Sequence, residues 1–320
     1  MSRTRKTGGV LIGLLVGVAP WPALTALGQV CVEEKMIASD GGPGHSLGYS
    51  AAMSIDMDGD GLVALLGSPR DDTNGERSGS AYIYRDDGSG WFEEAKLMPS
   101  DGQAGDQFGT RVAISADVAL IGTPIDPEFP RGDTGKAYIF RFDPDSSEWV
   151  EEATLSASNA GTDDDFGTAV SIGNGGDVIA VGAYGQAHHS GSTYLFRFDG
   201  NKWNEEFELV AADGEPNDSF GMEVDVIGDK VLVAAHMDDN ENGPRAGAVY
   251  GFTICPNDGP CEGDVNGDSM VDPLDSGFVL ARFGCLVKGD PDCEAADANG
   301  DGVVDPLDAG FVLARFGECG

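Results

Sequence analysis

Phe166-Gly167-Thr168-Ala169-Val170-Ser171, Val178-Ile179-Ala180-Val181-Gly182-Ala183, Thr193-Tyr194-Leu195-Phe196 and Trp203-Asn204-Glu205-Glu206 follow one another in close succession. Each is short, rich in β-branched and aromatic residues, and bounded by Gly, Asp or Asn turns, so the stretch reads as four strands of one sheet. The pattern recurs along the chain. Its opening pair appears as Leu47-Gly48, Phe108-Gly109 and Phe220-Gly221, and its second strand ends in Gly67-Ser68-Pro69, Gly122-Thr123-Pro124 or Ala234-Ala235. The aromatic third strand returns as Ala81-Tyr82-Ile83-Tyr84, Ala137-Tyr138-Ile139-Phe140 and Val249-Tyr250-Gly251-Phe252, and the fourth as Trp91-Phe92-Glu93-Glu94 and Trp149-Val150-Glu151-Glu152. A repeated unit of four short alternating strands is a β-propeller blade.

The last repeat stops after its third strand. Its missing strand is expected at the other end, where Cys31-Val32-Glu33-Glu34-Lys35-Met36-Ile37 aligns with Trp203-Asn204-Glu205-Glu206-Phe207-Glu208-Leu209. The fold class expected is therefore mainly β: a four-bladed β-propeller over 29–255, closed by the N-terminal strand so that no edge stays unpaired. In that alignment Cys31 takes the tryptophan position and Cys255 lies across the same hairpin turn. A Cys31 to Cys255 disulfide would staple the closure and contribute a few kcal/mol through loop entropy; an unrelated pairing remains open.

Repeats with Phe-Gly at the start, Gly-Ala-Pro or a variant after the second strand and an aromatic third strand resemble the FG-GAP repeat family, the blade type of the integrin α N-terminal propeller. This chain departs from the family at Leu47 and at Ala234-Ala235-His236. The resemblance implies a calcium loop between the first two strands of some blades. Only the first repeat retains one, as Asp56, Asp58, Asp60 and Gly61, with Ala64 where a further acid is usual. A third calcium site there and a solvated acidic hairpin turn both remain open.

Two twelve-residue loops lie further on, Asp264 to Asp275 and Asp297 to Asp308. Oxygen-bearing side chains occupy positions 1, 3, 5, 9 and 12: Asp264, Asn266, Asp268, Asp272 and Asp275 in the first, Asp297, Asn299, Asp301, Asp305 and Asp308 in the second. Calcium takes six to eight oxygens, and position 7, Met270 or Val303, contributes its backbone carbonyl. Each loop runs into Gly-Phe-Val-Leu-Ala-Arg-Phe-Gly, at 277–284 and 310–317. Helix-start signals precede that segment: Asp272 and Asp305 as N-caps, then Pro273 and Pro306 at the first helical position. Ser269 replaces the turn glycine that Gly302 supplies in the second loop, so the first site is expected to be the weaker.

A duplicated loop-helix unit of this kind resembles a type I dockerin, a small α-helical module with two EF-hand-like loops, here over 261–320 after a short linker at 256–262. The resemblance implies two bound Ca2+ ions and docking onto a cohesin-type partner, in assemblies that in known systems degrade polysaccharides. The recognition positions fall on Pro273, Leu274, Pro306 and Leu307, identical in both copies, so either helix is expected to face the partner. Cys261 and Cys319 flank the module and Cys285 and Cys293 lie between its halves, with three connectivities open.

Nineteen basic against fifty-five acidic residues give a formal charge of -36. Such a chain repels phosphate backbones and anionic surfaces, so nucleic acid is not an expected partner. Arg3, Arg5 and Lys6, the apolar run Val10 to Val18, and Ala26-Leu27-Gly28 have the layout of a signal peptide over 1–28. Secretion to the extracellular space or cell surface follows, with no membrane span after its removal. Export also suits an even set of six cysteines.

Catalytic motifs are missing from the sequence: no G-x-S-x-G elbow, no HExxH and no phosphate loop occurs. His188-His189 reads as a solvated pair. The Glu-Glu pairs at Glu33-Glu34, Glu93-Glu94, Glu151-Glu152 and Glu205-Glu206 recur in every blade, which favours a structural role over a unique acid/base couple. Arg131-Gly132-Asp133 copies an adhesion tripeptide in a chain rich in Gly and Asp. The leading expectation is a secreted, calcium-binding, non-catalytic binding or scaffold protein, presenting propeller loops to a glycan or surface protein. A carbohydrate-active enzyme carried as dockerin cargo is the alternative, and a calcium-responsive matrix component is a third.

Overall fold

A computed structural model describes residues 33–254, apart from 57, 58, 60, 125–133 and 174. Four antiparallel sheets follow one another as blades. Blade 1 is β1 (Ala51–Ile55), β2 (Leu62–Ser68), β3 (Ser80–Asp86) and β4 (Trp91–Leu97). Blade 2 is β5 (Arg111–Ser115), β6 (Val118–Thr123), β7 (Lys136–Asp143) and β8 (Glu148–Leu155). Blade 3 is β9 (Phe166–Ile172), β10 (Val178–Ala183), β11 (Ser192–Phe198) and β12 (Trp203–Leu209), with a short turn over Gln186–His189, left-handed at Ala187, His188 and His189, between β10 and β11. Blade 4 holds β13 (Phe220–Ile227), β14 (Lys230–Ala235) and β15 (Ala248–Thr253).

The second strands of blades 2 and 3 are apolar on both faces because each of these blades is sandwiched between two others. In β6, Ala119 and Ile121 face the core shared with blade 1, while Val118 and Leu120 face the core shared with blade 3. Period-two alternation assigns the two sets to opposite faces. The third and fourth strands of blades 1, 2 and 3 share a register shift at one repeat position, after Ile83, Ile139 and Leu195. A bulge repeated in this way twists each outer edge alike.

Neighbouring blades are joined at the Phe-Gly pair. Phe108, Phe166 and Phe220 are fully buried, and each forms a parallel bridge with a glycine of the blade before it: Gly79, Gly135 and Gly191. The following glycine approaches the end of the preceding blade's second strand. A methyl built on Gly67, Gly122 or Gly182 would lie 1.9, 2.2 or 1.9 Å from the carbonyl oxygen of Gly109, Gly167 or Gly221. That contact explains why both halves of the repeat signature carry glycine.

The N-terminal expectation changes in register. Glu33 to Ala38 carry no strand, and the fourth sheet has three strands among the described residues. Met36 and Ala38 pack on Ala64, Leu66, Tyr82 and Tyr84 of blade 1, whereas Ile37 is 66% exposed. Met36, not Ile37, therefore takes the inward place of Leu97, Leu155 and Leu209. Alternation across a pleat makes a one-residue slip invisible in a loose apolar alignment, and burial resolves it. Counting back from Met36 moves the tryptophan position from Cys31 to Val30; both residues, with Cys255, lie outside the described residues.

Gly182→Ala is expected to lower stability by about 1–3 kcal/mol, since the added methyl overpacks a backbone contact that has no side chain to move aside. Chemical denaturation of the two proteins checks this, and an unchanged midpoint would show that blades 3 and 4 do not meet this closely.

Candidate functional site

Each blade places one tyrosine at the loop end of its third strand, where it meets a carboxylate or amide from the connector that enters the blade. Tyr82 lies 2.7 Å from Asp40, Tyr138 2.7 Å from Asp101, Tyr194 2.7 Å from Asn159 and Tyr250 2.9 Å from Asp213. The connector is held again one residue earlier in three blades. The backbone N–H and hydroxyl of Ser39, Ser100 and Ser158 donate to Glu93, Glu151 and Glu205. The second glutamate of each pair faces an arginine of the third strand: Glu94 with Arg85, Glu152 with Arg141, Glu206 with Arg197. In these three described blades the Glu-Glu pairs serve as blade clamps; of the N-terminal pair, Glu33-Glu34, no such contact is described.

Charge at the tyrosine varies from blade to blade. In blade 1, Lys96 Nζ sits 2.6 Å from Asp40, 3.0 Å from Asp71 and 2.7 Å from the Thr73 hydroxyl, and 5.3 Å above the Tyr82 ring. Burial alone would raise the Asp71 carboxyl, but hydrogen bonds from Thr73, Lys96 and Tyr82 outweigh it and hold the group well below the usual range. Blade 2 uses Lys136, 2.6 Å from Asp101. Blade 3 inverts the pattern: Glu208 stands at the position of Lys96, and Tyr194 meets the neutral amides of Asn159 and Gln186 together with Glu208. In blade 4, Tyr250 meets both Asp213 and the buried Asp238, at 2.9 and 2.7 Å, and no cation pairs with either acid among the described residues.

The first-blade acidic loop is described in part. Asp56 Oδ1 accepts from the N–H groups of Gly59 and Gly61 at 2.9 and 3.2 Å, and Oδ2 faces Arg85 at 3.3 Å. Asp117 meets Arg141 in the same way in blade 2, so the first acid of the loop pins its own hairpin. Asp58 and Asp60 lie outside the described residues. So do both C-terminal loops with their ligands from Asp264 to Asp308, the Pro-Leu pairs, Arg131-Gly132-Asp133 and all six cysteines. Among the described residues no three His, Cys, Asp or Glu side chains converge in a metal-holding group. His188 and His189 belong to no such group, and the ring of His189 lies beside that of Tyr184 with centroids 5.9 Å apart.

A cleft of about 290 Å³ opens beside blade 4, lined by Glu215, Asp218, Met237, Asp239 and Arg245 among others. Asp218 accepts from the N–H of Glu215 at 2.6 Å and Asp239 from that of Arg245 at 2.7 Å, so each acid holds its own loop. Sequence reasoning passed over the tyrosine clasp. Its signal is the run Ser39-Asp40, Ser100-Asp101, Ser158-Asn159, Ala212-Asp213, three or four residues past the last inward apolar residue.

The clasps make stability depend on pH at both ends. Burial pushes the tyrosines up, Tyr84 to about 12 with Glu93 adding to the effect. A folded-state value above the unfolded one, about 10, favours the protonated fold. That contribution is complete below pH about 10 and is lost as pH rises through the folded value. Hydrogen bonds from Lys96 and Tyr82 lower Asp40, and those from Lys136 and Tyr138 overcome burial to lower Asp101. Their contribution is present above about pH 4 and is lost as pH falls through the depressed values. Denaturation midpoints are expected to be flat between about pH 5 and 9 and to fall on either side. Lys96→Met strips the buried Asp71 of its cation and is expected to cost about 3 kcal/mol at pH 7.

No curated protein matches the chain. Among solved structures, the chain is similar to the Saccharomyces cerevisiae protein Sqt1, with 6% identity over 66% of this chain and 46% of that one, at a TM-score of 0.39. A protein from Lactobacillus plantarum is matched with 12% identity over 63% of this chain and 50% of that one, also at 0.39. The chain thus spans about half the length of the solved proteins it matches. Residues 262–316 match the dockerin type I domain. Residues 32–84, 91–140, 149–196 and 203–252 each match the FG-GAP repeat, and the chain belongs to the FG-GAP repeat family, with a dockerin type I domain following its four repeats.

Proposed function

We propose that the protein is a secreted, non-catalytic binding or scaffold component, which its dockerin module tethers to a cohesin-type partner in a calcium-dependent way. The observation that carries this reading is the pair of twelve-residue loops at Asp264 to Asp275 and Asp297 to Asp308, inside the segment that matches the dockerin type I domain. Two Ca2+ ions are held by Asp264, Asn266, Asp268, Met270, Asp272 and Asp275, and by Asp297, Asn299, Asp301, Val303, Asp305 and Asp308. Pro273, Leu274, Pro306 and Leu307 present the docking surface, an apolar pair where the partner's groove must be apolar in turn. The blades supply a body in which six strand glutamates are engaged in clamps: Glu93, Glu151 and Glu205 hold connectors, and Glu94, Glu152 and Glu206 hold arginines. The recurrence of these clamps from blade to blade supports a structural use of the Glu-Glu pairs. Among the described residues no helix is long and apolar enough to cross a membrane.

Calorimetric titration with calcium is expected to resolve two sites, the weaker removed by Asp264→Ala and the stronger by Asp297→Ala. Binding to a panel of cohesin modules is expected to vanish with a chelator and to return with calcium. Chelation is also expected to abolish the unfolding transition of the C-terminal module while that of the blades persists. A single joint transition lost with calcium, or docking that ignores the chelator, would overturn this reading.

A further inference from the structure

The connector entering each blade carries a cap two residues before the blade's opening Phe or Leu. In blades 2, 3 and 4 the cap is a carboxylate. Asp106 accepts from the N–H of Gln103 at 2.7 Å, Asp164 from that of Gly161, and Asp218 from that of Glu215 at 2.6 Å. In blade 1 the same place, two residues before Leu47, is held by His45, whose Nδ1 accepts from the N–H of Gly42 at 3.2 Å. A carboxylate has acceptor oxygens to spare, whereas an imidazole nitrogen accepts only while it carries no proton. Near neutral pH, the cap of blade 1 is therefore the one that a proton can turn from acceptor into donor.

The same nitrogen already faces the acceptor it would then use. His45 Nδ1 lies 3.5 Å from Oδ2 of Asp71, a fully buried carboxylate on the loop between β2 and β3. Charge around the ring suits a second cation. Asp71 and Asp40 carry two negative charges, Lys96 from the end of β4 answers with one ammonium at 3.0 and 2.6 Å, and the Tyr82 hydroxyl from β3 touches both acids. The backbone on either side is anchored. Asp40 is held by Tyr82 and Lys96, and the His45 carbonyl accepts from the Ser68 hydroxyl at 2.8 Å and from the Arg70 N–H at 3.4 Å. Gly42 lies against the ring itself, since a methyl built on it would fall 2.5 Å from Nε2.

We propose that His45 is an acid-sensitive latch on the connector entering blade 1: neutral, its Nδ1 holds the Gly42 N–H, and protonated, the same nitrogen donates to Asp71 and releases it. Residues 41–44 then open between the fixed points at Asp40 and His45. The change falls where a histidine takes up its proton, at about pH 5 to 8, while the three carboxylate caps keep their acceptors. One hydrogen bond is exchanged for another, so the response is a local opening within a persisting fold.

Amide exchange followed by NMR on the full chain with calcium reads this directly, each rate being divided by its intrinsic value at the same pH. From about pH 8 to about pH 5 the protection of Gly42 is expected to fall about five-fold or more. That loss is expected to track the titration of the His45 ring nitrogens, while the amides of Gln103 and Glu215 keep their protection. His45→Asn, which retains a neutral acceptor, is expected to remove the step and keep Gly42 protected; His45→Leu is expected to leave Gly42 unprotected throughout. Gly42 protection that ignores the ring titration, a ring that keeps one protonation state over the range, or a loss shared by Gln103 and Glu215 would overturn the proposal on the wild type alone. A step that survives in His45→Asn would overturn it as well, by assigning the proton to another group.

Discussion

Each blade's opening phenylalanine belongs as much to the blade before it as to its own. Phe108 packs edge-on against Tyr138 and Phe140 of its own blade and bridges Gly79 of the preceding one, and Phe166 and Phe220 repeat the arrangement. No single blade buries its apolar faces alone. The cores lie between blades, so burial of roughly 1.5–3 kcal/mol per large side chain is realised only when neighbours stack. The order of the blades is thereby a condition of stability.

Around that core the polar residues are used economically. The outer strands carry a ladder in which Arg85 reaches Glu94 and lies 5.5 Å from the ring of Phe142 in the next blade, and Arg141 repeats this with Glu152 and Phe198 at 5.0 Å. Trp149 and Trp203 lie within 3.4 Å of Glu94 and Glu152 of the preceding blade. A net charge of -36 would otherwise repel itself across a small body. Placing half of the strand acids in clamps with arginine, serine or tryptophan donors turns part of that charge into blade-to-blade adhesion.

The repeat pattern made the fold legible early, because period-two alternation and recurrent Phe-Gly and Gly-x-Pro signals are properties of local sequence. The four sheets, their strand order and the structural role of the Glu-Glu pairs in blades 1 to 3 follow from it. The closing register did not. Met36 and Ile37 are both apolar and adjacent, and only their burial tells which faces the core. Asp56 shows the same limit: the sequence places an acid at the start of a metal-loop pattern, and only the fold shows Arg85 and two backbone N–H groups around its carboxylate.

The amino-acid sequence alone was enough for the count of blades, the strong acidity of the chain, and the spacing of oxygens in the two C-terminal loops. Each of these depends on residues near one another in the chain. Tertiary structure decided which acids are clamps and which connector carboxylate or amide meets each blade's tyrosine. Those depend on groups such as Asp40 and Tyr82, or Ser100 and Glu151, that lie far apart in sequence. Such partners are assigned by distance and burial, which a linear pattern does not carry.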